Sequence, residues 1–188
     1  DNVAMVPLRA NRRFGHYFAG RSVSAMGTVM TRVALPFAVL ARPDGIRALG
    51  FVLAAQMIPL VLLTVIGAGI ADRVGRSTVL TLSNSLSGLT QLAIAGVLFG
   101  HIGVYWIVPL ACINGTAEAF TMPASRGVLA ELVTTDQLTR ANSLLKTSRN
   151  VAQVAGPTIA GIIVATSTGG VALIIDGGTF LFAALMMY

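Results

Sequence analysis

Arg21, Ser24, Thr28 and Arg32 recur at spacings of three, four and four residues, which sets them on one face of a helix. The run around them, from Phe14 to Leu40, is mostly apolar. Polar side chains on one face of such a run point at a cavity, not at hydrocarbon. Glu118 and Arg149 stand inside apolar runs of their own, and a second acid, Asp176, sits in the last one. An ionisable residue inside a bilayer costs about 2.5–3.5 kcal/mol on insertion scales, so each of these is a functional candidate. A carboxylate released from an arginine can take up a proton or a cationic ligand.

The chain that carries these charges is 55 % hydrophobic and only 11 % charged, with a mean hydropathy of +0.80. A soluble domain carries about 25 % charged residues. Apolar runs of roughly 18 to 25 residues recur along its length, each able to cross about 30 Å of hydrocarbon. The expected fold is an all-α integral membrane bundle of six transmembrane helices. A cytoplasmic N-terminal segment, 1–13, precedes spans at about 14–40, 48–70, 78–99, 104–124, 141–166 and 171–188. The turns between them fall at Ala41–Gly45, at the charged loop near Asp72, at Gly100–Gly103 and at Ser167–Gly170. Between spans 4 and 5 lies a longer polar segment, Arg126 to Arg140, where Thr134-Thr135-Asp136 is the expected helix N-cap.

Basic residues orient the bundle. Arg9, Arg12, Arg13, Arg73, Arg76, Arg126 and Arg140 share one side, with Lys146 and Arg149 close by, whereas the other side has only Arg42 and Arg47. The first side is expected to be cytoplasmic, in a multi-pass protein of the plasma membrane with its N-terminus inside. This asymmetry accounts for the formal charge of +6 and the pI near 10.7. The basic residues form no stripe interleaved with aromatics, so no nucleic-acid partner is expected. Cys112 is the only cysteine, and His16 and His101 are isolated, so neither a disulfide nor a metal site is expected. There is no G-x-x-x-x-G-K-[ST] phosphate loop, no H-E-x-x-H pair and no G-x-S-x-G nucleophile setting, and neither enzyme nor cofactor is expected. The first apolar run is too long for a cleavable signal peptide. The chain starts at Asp1 and stops at Tyr188 inside an apolar run, and is expected to be part of a longer protein.

Depth follows from about 1.5 Å of rise per residue. Arg21 lies about 10 Å from the inner end of span 1, Glu118 about 10 Å from the inner end of span 4, and Arg149 about 12 Å from the inner start of span 5. Glu118 is therefore expected to pair with Arg21 or Arg149 in the cytoplasmic third, either as a working cavity pair or as a static ion pair. Asp176, about 8 Å below the outer surface, is level with Arg32 and is expected to form an outer structural pair with it. Lys146 is expected to snorkel. Asn114, Gln56, Gln91 and Asn150 are candidates for cavity or interhelical hydrogen bonds. Prolines fall in spans 1, 2, 4 and 5 (Pro36, Pro59, Pro109 with Pro123, and Pro157) and not in spans 3 and 6. Two triplets of this kind fit a 3+3 inverted repeat.

Three stretches carry a family resemblance. The turn Gly67-Ala68-Gly69-Ile70-Ala71-Asp72-Arg73-Val74-Gly75-Arg76-Ser77 resembles the loop between the second and third helices of the major facilitator superfamily, G-x-x-x-D-R-x-G-R-[RK]. Asp72, Arg73, Gly75 and Arg76 match; Ala68 and Ser77 depart. In span 5, Ala152 to Gly161 is similar to the superfamily's G-x-x-x-G-P-x-x-G-G antiport motif. Gly156, Pro157 and Gly161 match, and Ala152 and Ala160 replace glycines. Met122 to Arg126, Leu129 to Val133, Ala141 to Leu144, Arg32 to Pro36 and Asp176 to Phe180 resemble the enterobactin-exporter and macrolide-efflux branch.

The resemblance implies the N-terminal six-helix half of a twelve-helix carrier, with a C-terminal bundle of the same protein still to come. It implies proton-driven efflux of drug-like or siderophore-like molecules by alternating access. It also implies that the loop of Asp72, Arg73, Gly75 and Arg76, with Arg126, latches the halves in the outward-facing state. Physically, Asp72 can cap a helix or pair with Arg76 or Arg126. Two departures bear on proton coupling: Thr28 stands where that branch often has an acid, and no arginine precedes Gly115 in span 4. The other reading is a six-span membrane module without transport activity, serving as an assembly subunit.

Overall fold

The computed structural model describes residues 11–100 and 102–187, with only the backbone described at positions 65, 68 and 71. Arg9, His101 and Tyr188, which entered the expectations above, lie outside the described residues. Every described element is helical: α1 (Arg12–Leu40), α2 (Gly45–Val74), α3 (Arg76–Phe99), a 3-10 turn (Val104–Trp106), α4 (Ile107–Leu132), α5 (Thr135–Thr166) and α6 (Gly169–Met187).

Local chemistry sets the ends. Asn11 caps α1, accepting the Phe14 N–H at 3.1 Å, and its amide donates to the Leu132 carbonyl at 2.8 Å, so one side chain ties the start of α1 to the end of α4. A single residue separates α2 from α3. It is Gly75, at φ +105°, a backbone region that only glycine enters without strain. Prolines 36, 59, 123 and 157 lie inside helices that continue through them. Pro109 is different. It sits in the first turn of α4, where the missing N–H would have no partner anyway.

The polar segment expected from Arg126 to Arg140 is helical except at Val133 and Thr134. Thr134 is extended, and its carbonyl accepts the Gln137 and Leu138 N–H groups at 2.9 and 3.1 Å, but its side chain caps nothing. Polarity misleads here because leucine, alanine, arginine, glutamate and glutamine all favour helix, whether or not lipid surrounds them.

α1 packs on α5 and α6, α4 on α2 and α3, and α3 on α6. Small residues sit at each crossing, as expected where membrane helices approach closely. Gly115 of α4 rests on the Gln56 backbone of α2, and Gly27 of α1 rests on Asp176 and Thr179 of α6. A Cβ added at Gly88 of α3 would lie 3.0 Å from the Gly177 carbonyl of α6, and one added at Gly177 would lie 3.0 Å from the Gly88 carbonyl.

Two apolar cores close the bundle. The inner one gathers Phe14, Tyr17, Leu80, Val128 and Leu129, and the outer one Leu35, Val39, Val52, Ile94, Ile107 and Leu173. Polar side chains occupy the layer between them. Among the described residues, α1, the Gly45–Thr64 stretch of α2, α3 and α6 are long and apolar enough to cross a membrane by length and composition. This is a helical membrane bundle.

Candidate functional site

The layer between the two cores holds a cavity of about 520 Å³ that all six helices line. Its apolar wall includes Leu53, Met57, Leu60, Ile94 and Phe180, and its polar groups include Arg21, Thr28, Arg32, Glu118, Arg149 and Asp176. The stripe on α1 thus faces one space, with Arg21, Ser24, Thr28 and Arg32 all on its wall. Thr28 donates its hydroxyl back to the Ser24 carbonyl at 2.9 Å, so its oxygen remains an acceptor towards the cavity.

Glu118 pairs with Arg32 at 3.6 Å, not with Arg21 or Arg149. α4 runs on to Leu132 and α5 starts at Thr135, so Glu118 and Arg149 each lie about 21 Å from the helix end, not the 10–12 Å inferred from hydropathy. At that shared level packing decides: Glu118 on α4 meets Arg32, whereas Arg149 on α5 lines a recess with Arg21. The pair is open to the cavity, with Arg32 67 % and Glu118 31 % exposed, so it can be broken by a ligand without dismantling a core.

Asp176 does not form the expected ion pair with Arg32, since Glu118 occupies that arginine. Asp176 is fully buried on α6, where the Thr179 hydroxyl lies 3.3 Å from its Oδ1. Neither Thr31 Oγ1 nor Asp176 Oδ2 has a partner at hydrogen-bond geometry. Of the neutral candidates, Gln56 donates to Asn114 Oδ1 at 3.4 Å, and Asn114 donates to Thr90 Oγ1 at 3.0 Å, joining α2, α4 and α3. Gln91 lines the cavity, with its buried Oε1 unpartnered; Asn150 does not line it. Thr90 was not anticipated. A threonine on an apolar helix carries no sequence signal until its partner is known.

The charged loop forms a cluster around Arg76. Its guanidinium binds Asp72 Oδ1 through Nε at 2.9 Å and NH2 at 2.8 Å. The NH1 group reaches the Gly127 carbonyl and Glu131 Oε1, each at 3.4 Å. One arginine therefore ties the end of α2 and the start of α3 to the end of α4. Asp72 thus chooses Arg76 over Arg126, which is exposed and has no ion pair among the described residues. Arg73 is exposed as well. Glu131 is the loop partner that sequence reasoning missed. A Cβ at Gly127 would meet the Arg76 side chain, so the guanidinium would have to shift from its present contacts.

On α5 the buried residues are Ala141, Ala152, Gly156 and Ala160, so the four-residue repeat of the span 5 motif is the face that meets the bundle. Gly156 fits against Val29 of α1. Pro157 and Gly161 are exposed on the opposite side, and a Cβ at Gly161 would meet nothing within 4 Å.

Comparison with known proteins follows the same lines. The sequence model of the Major Facilitator Superfamily matches residues 17–188. The chain is similar to the multidrug efflux pump Tap of Mycobacterium tuberculosis, at 29 % identity over 153 residues, 78 % of this chain and 36 % of that protein. It is 28 % identical to Tap of Mycolicibacterium fortuitum over 87 % of this chain and 41 % of that protein. It is also 27 % identical to the staphyloferrin A transporter of Staphylococcus aureus, over 80 % of this chain and 38 % of that protein. The chain thus spans 36–41 % of the length of these relatives.

Proposed function

Because the chain belongs to the major facilitator superfamily, we propose that it forms the N-terminal bundle of an efflux carrier that works by alternating access. The observation that carries this reading is the cavity of about 520 Å³, lined by all six helices and closed at each end by an apolar core. A mostly apolar chamber with a few placed charges suits drug-like or siderophore-like cargo. The similarity to proteins named for multidrug efflux and for staphyloferrin A transport supports that class.

Six spans in a 3+3 inverted repeat account for the packing. Exchanging α1 with α4, α2 with α5 and α3 with α6 leaves the pattern of packed pairs unchanged: α1 on α5 becomes α4 on α2, α1 on α6 becomes α4 on α3, and α3 on α6 maps onto itself. In this reading α4 and α5 cross the bilayer although they are less apolar, because their polar faces look into the cavity. The N-terminus is cytoplasmic and the membrane is the plasma membrane. α2 packs mainly on α4 and α5 mainly on α1, so each keeps an open face. A C-terminal bundle of the same protein would seat there and complete the cavity.

Protons supply the drive in this account. Glu118 alternates between Arg32 and a proton or a cationic group, which frees Arg32 and changes the field in the cavity. The Arg76 cluster with Asp72 and Glu131 acts as the latch at the inner rim, and Gly75 sets its turn. The test is dye efflux by the full-length gene product in cells lacking their own pumps, with and without a collapsed proton gradient. Gradient-dependent efflux, lowered by Asp72→Ala and by Glu118→Gln, is expected. A correctly inserted protein that moves no dye or natural extract component in either condition would favour the non-transporting module.

A further inference from the structure

Arg21 and Arg149 both line a chamber of about 40 Å³, and both also line the main cavity. Three hydroxyls line it as well, Ser22 on α1, Ser125 on α4 and Ser148 on α5, beside the apolar Ala25 and Leu145. The Ser22 Oγ is buried without a partner. Ser125 shares a 2.6 Å hydrogen bond with the Tyr17 hydroxyl, which fixes its position.

No acid answers these two arginines. Among the described residues neither forms an ion pair. Glu118 is held by Arg32, and Asp176 is buried against α1 beside Thr31. The other described acids, Asp44, Asp72, Glu131 and Asp136, stand at helix ends. Two guanidiniums kept side by side in an apolar bundle are unfavourable unless an anion sits between them. Planar guanidiniums flanked by hydroxyl donors are the chemistry that holds a carboxylate or a phosphate. The chamber has room for one such group and not for a whole cargo molecule.

We propose that the chamber between Arg21 and Arg149 seats an oxyanion, and that its occupant is the carboxylate or phosphate of an acidic or zwitterionic cargo. The cargo part rests on the transport reading above; the anion seat does not. The remainder of the cargo lies in the main cavity, against its apolar wall. Charge balance supports this: the two cavities are lined by Arg21, Arg32 and Arg149 against Glu118 and the fully buried Asp176, which leaves at least one positive charge over.

The test is calorimetric titration of the full-length protein in phosphatidylcholine nanodiscs with citrate and with inorganic phosphate, at constant ionic strength. Saturable binding of one or the other is expected. It should weaken about tenfold to a hundredfold in Arg149→Gln and Arg21→Gln, and less in Arg149→Lys and Ser22→Ala. Arg149 is exposed on α5, so its replacement should not lower the thermal midpoint of the anion-free protein. Nanodiscs containing phosphatidylglycerol separate the sources. If that lipid blocks citrate in the wild type, the occupant is a headgroup and the cargo assignment is overturned. No saturable anion binding, or binding equal in both glutamine variants and the wild type, overturns the seat itself. Because binding needs no turnover, a protein that binds citrate but moves no dye would retain the seat and lose the transport reading.

Discussion

The two ends of the central cavity treat arginine differently. Towards the outer core, Arg32 has Glu118 at 3.6 Å and the buried Asp176 nearby, so charge is compensated within the bundle. Towards the inner core, Arg21 and Arg149 line one chamber whose other polar side chains are serine hydroxyls, with no acid among them. Both ends are lined by helices that bury comparable apolar cores, so packing does not explain the contrast. A paired charge in a membrane protein can serve the fold or a switch. An unpaired one is a candidate for binding something that arrives from outside.

The comparison holds only while the scaffold keeps both ends in place, and breaking the scaffold has the largest expected effect. Gly115→Leu drives a side chain into the Gln56 backbone and should cost about 3 kcal/mol or prevent folding, read by thermal unfolding in detergent. Gly161→Leu, which meets nothing, should lie within about 0.5 kcal/mol of the wild type. Next comes the compensated end. Glu118→Gln should lower transport by about tenfold or more, and Arg32→Ala should do the same. The double variant should lose less than the sum of the two, as a coupled pair requires. Additive losses would detach Glu118 from Arg32.

Smaller effects sharpen the contrast between the cavity and the inner rim. Gly75→Ala forces a side chain into φ +105° and should cost about 1–3 kcal/mol, with the cavity unaltered. At the loop itself, Arg76→Ala should change the balance of inward-open and outward-open states, measured by cysteine accessibility, while Arg126→Ala should leave it as it was. An equal response from both would mean that the Arg76 contacts to Asp72 and Glu131 are not the latch.

Much of this was legible in the sequence, for physical reasons. The apolar runs mark the helices because hydrocarbon length and hydropathy are local properties, and among the described residues α1, α2, α3 and α6 contain stretches apolar enough to cross a membrane. The α1 stripe was legible because a helix converts spacing into direction. Helix ends beyond the lipid were not: residues 126–140 look like a loop on a hydropathy scale, yet good helix formers carry α4 and α5 through them. That error in the ends became an error in depth, and depth could not have chosen between arginines on different helix faces: packing sets Glu118 beside Arg32 and Arg149 in one chamber with Arg21. The serines of the side chamber were illegible for another reason. Ser22 and Ser148 each adjoin an arginine in sequence, but only the packing of α1 on α5 brings the pairs together.

The central claim is that Glu118, held by Arg32, couples the cavity to protons. The most direct measurement is the efflux rate of the full-length protein in proteoliposomes across a series of imposed pH gradients, wild type against Glu118→Gln. The account predicts a rate that climbs with the gradient in the wild type and a low, flat rate in the variant. A variant whose rate climbs as steeply as the wild type would contradict it.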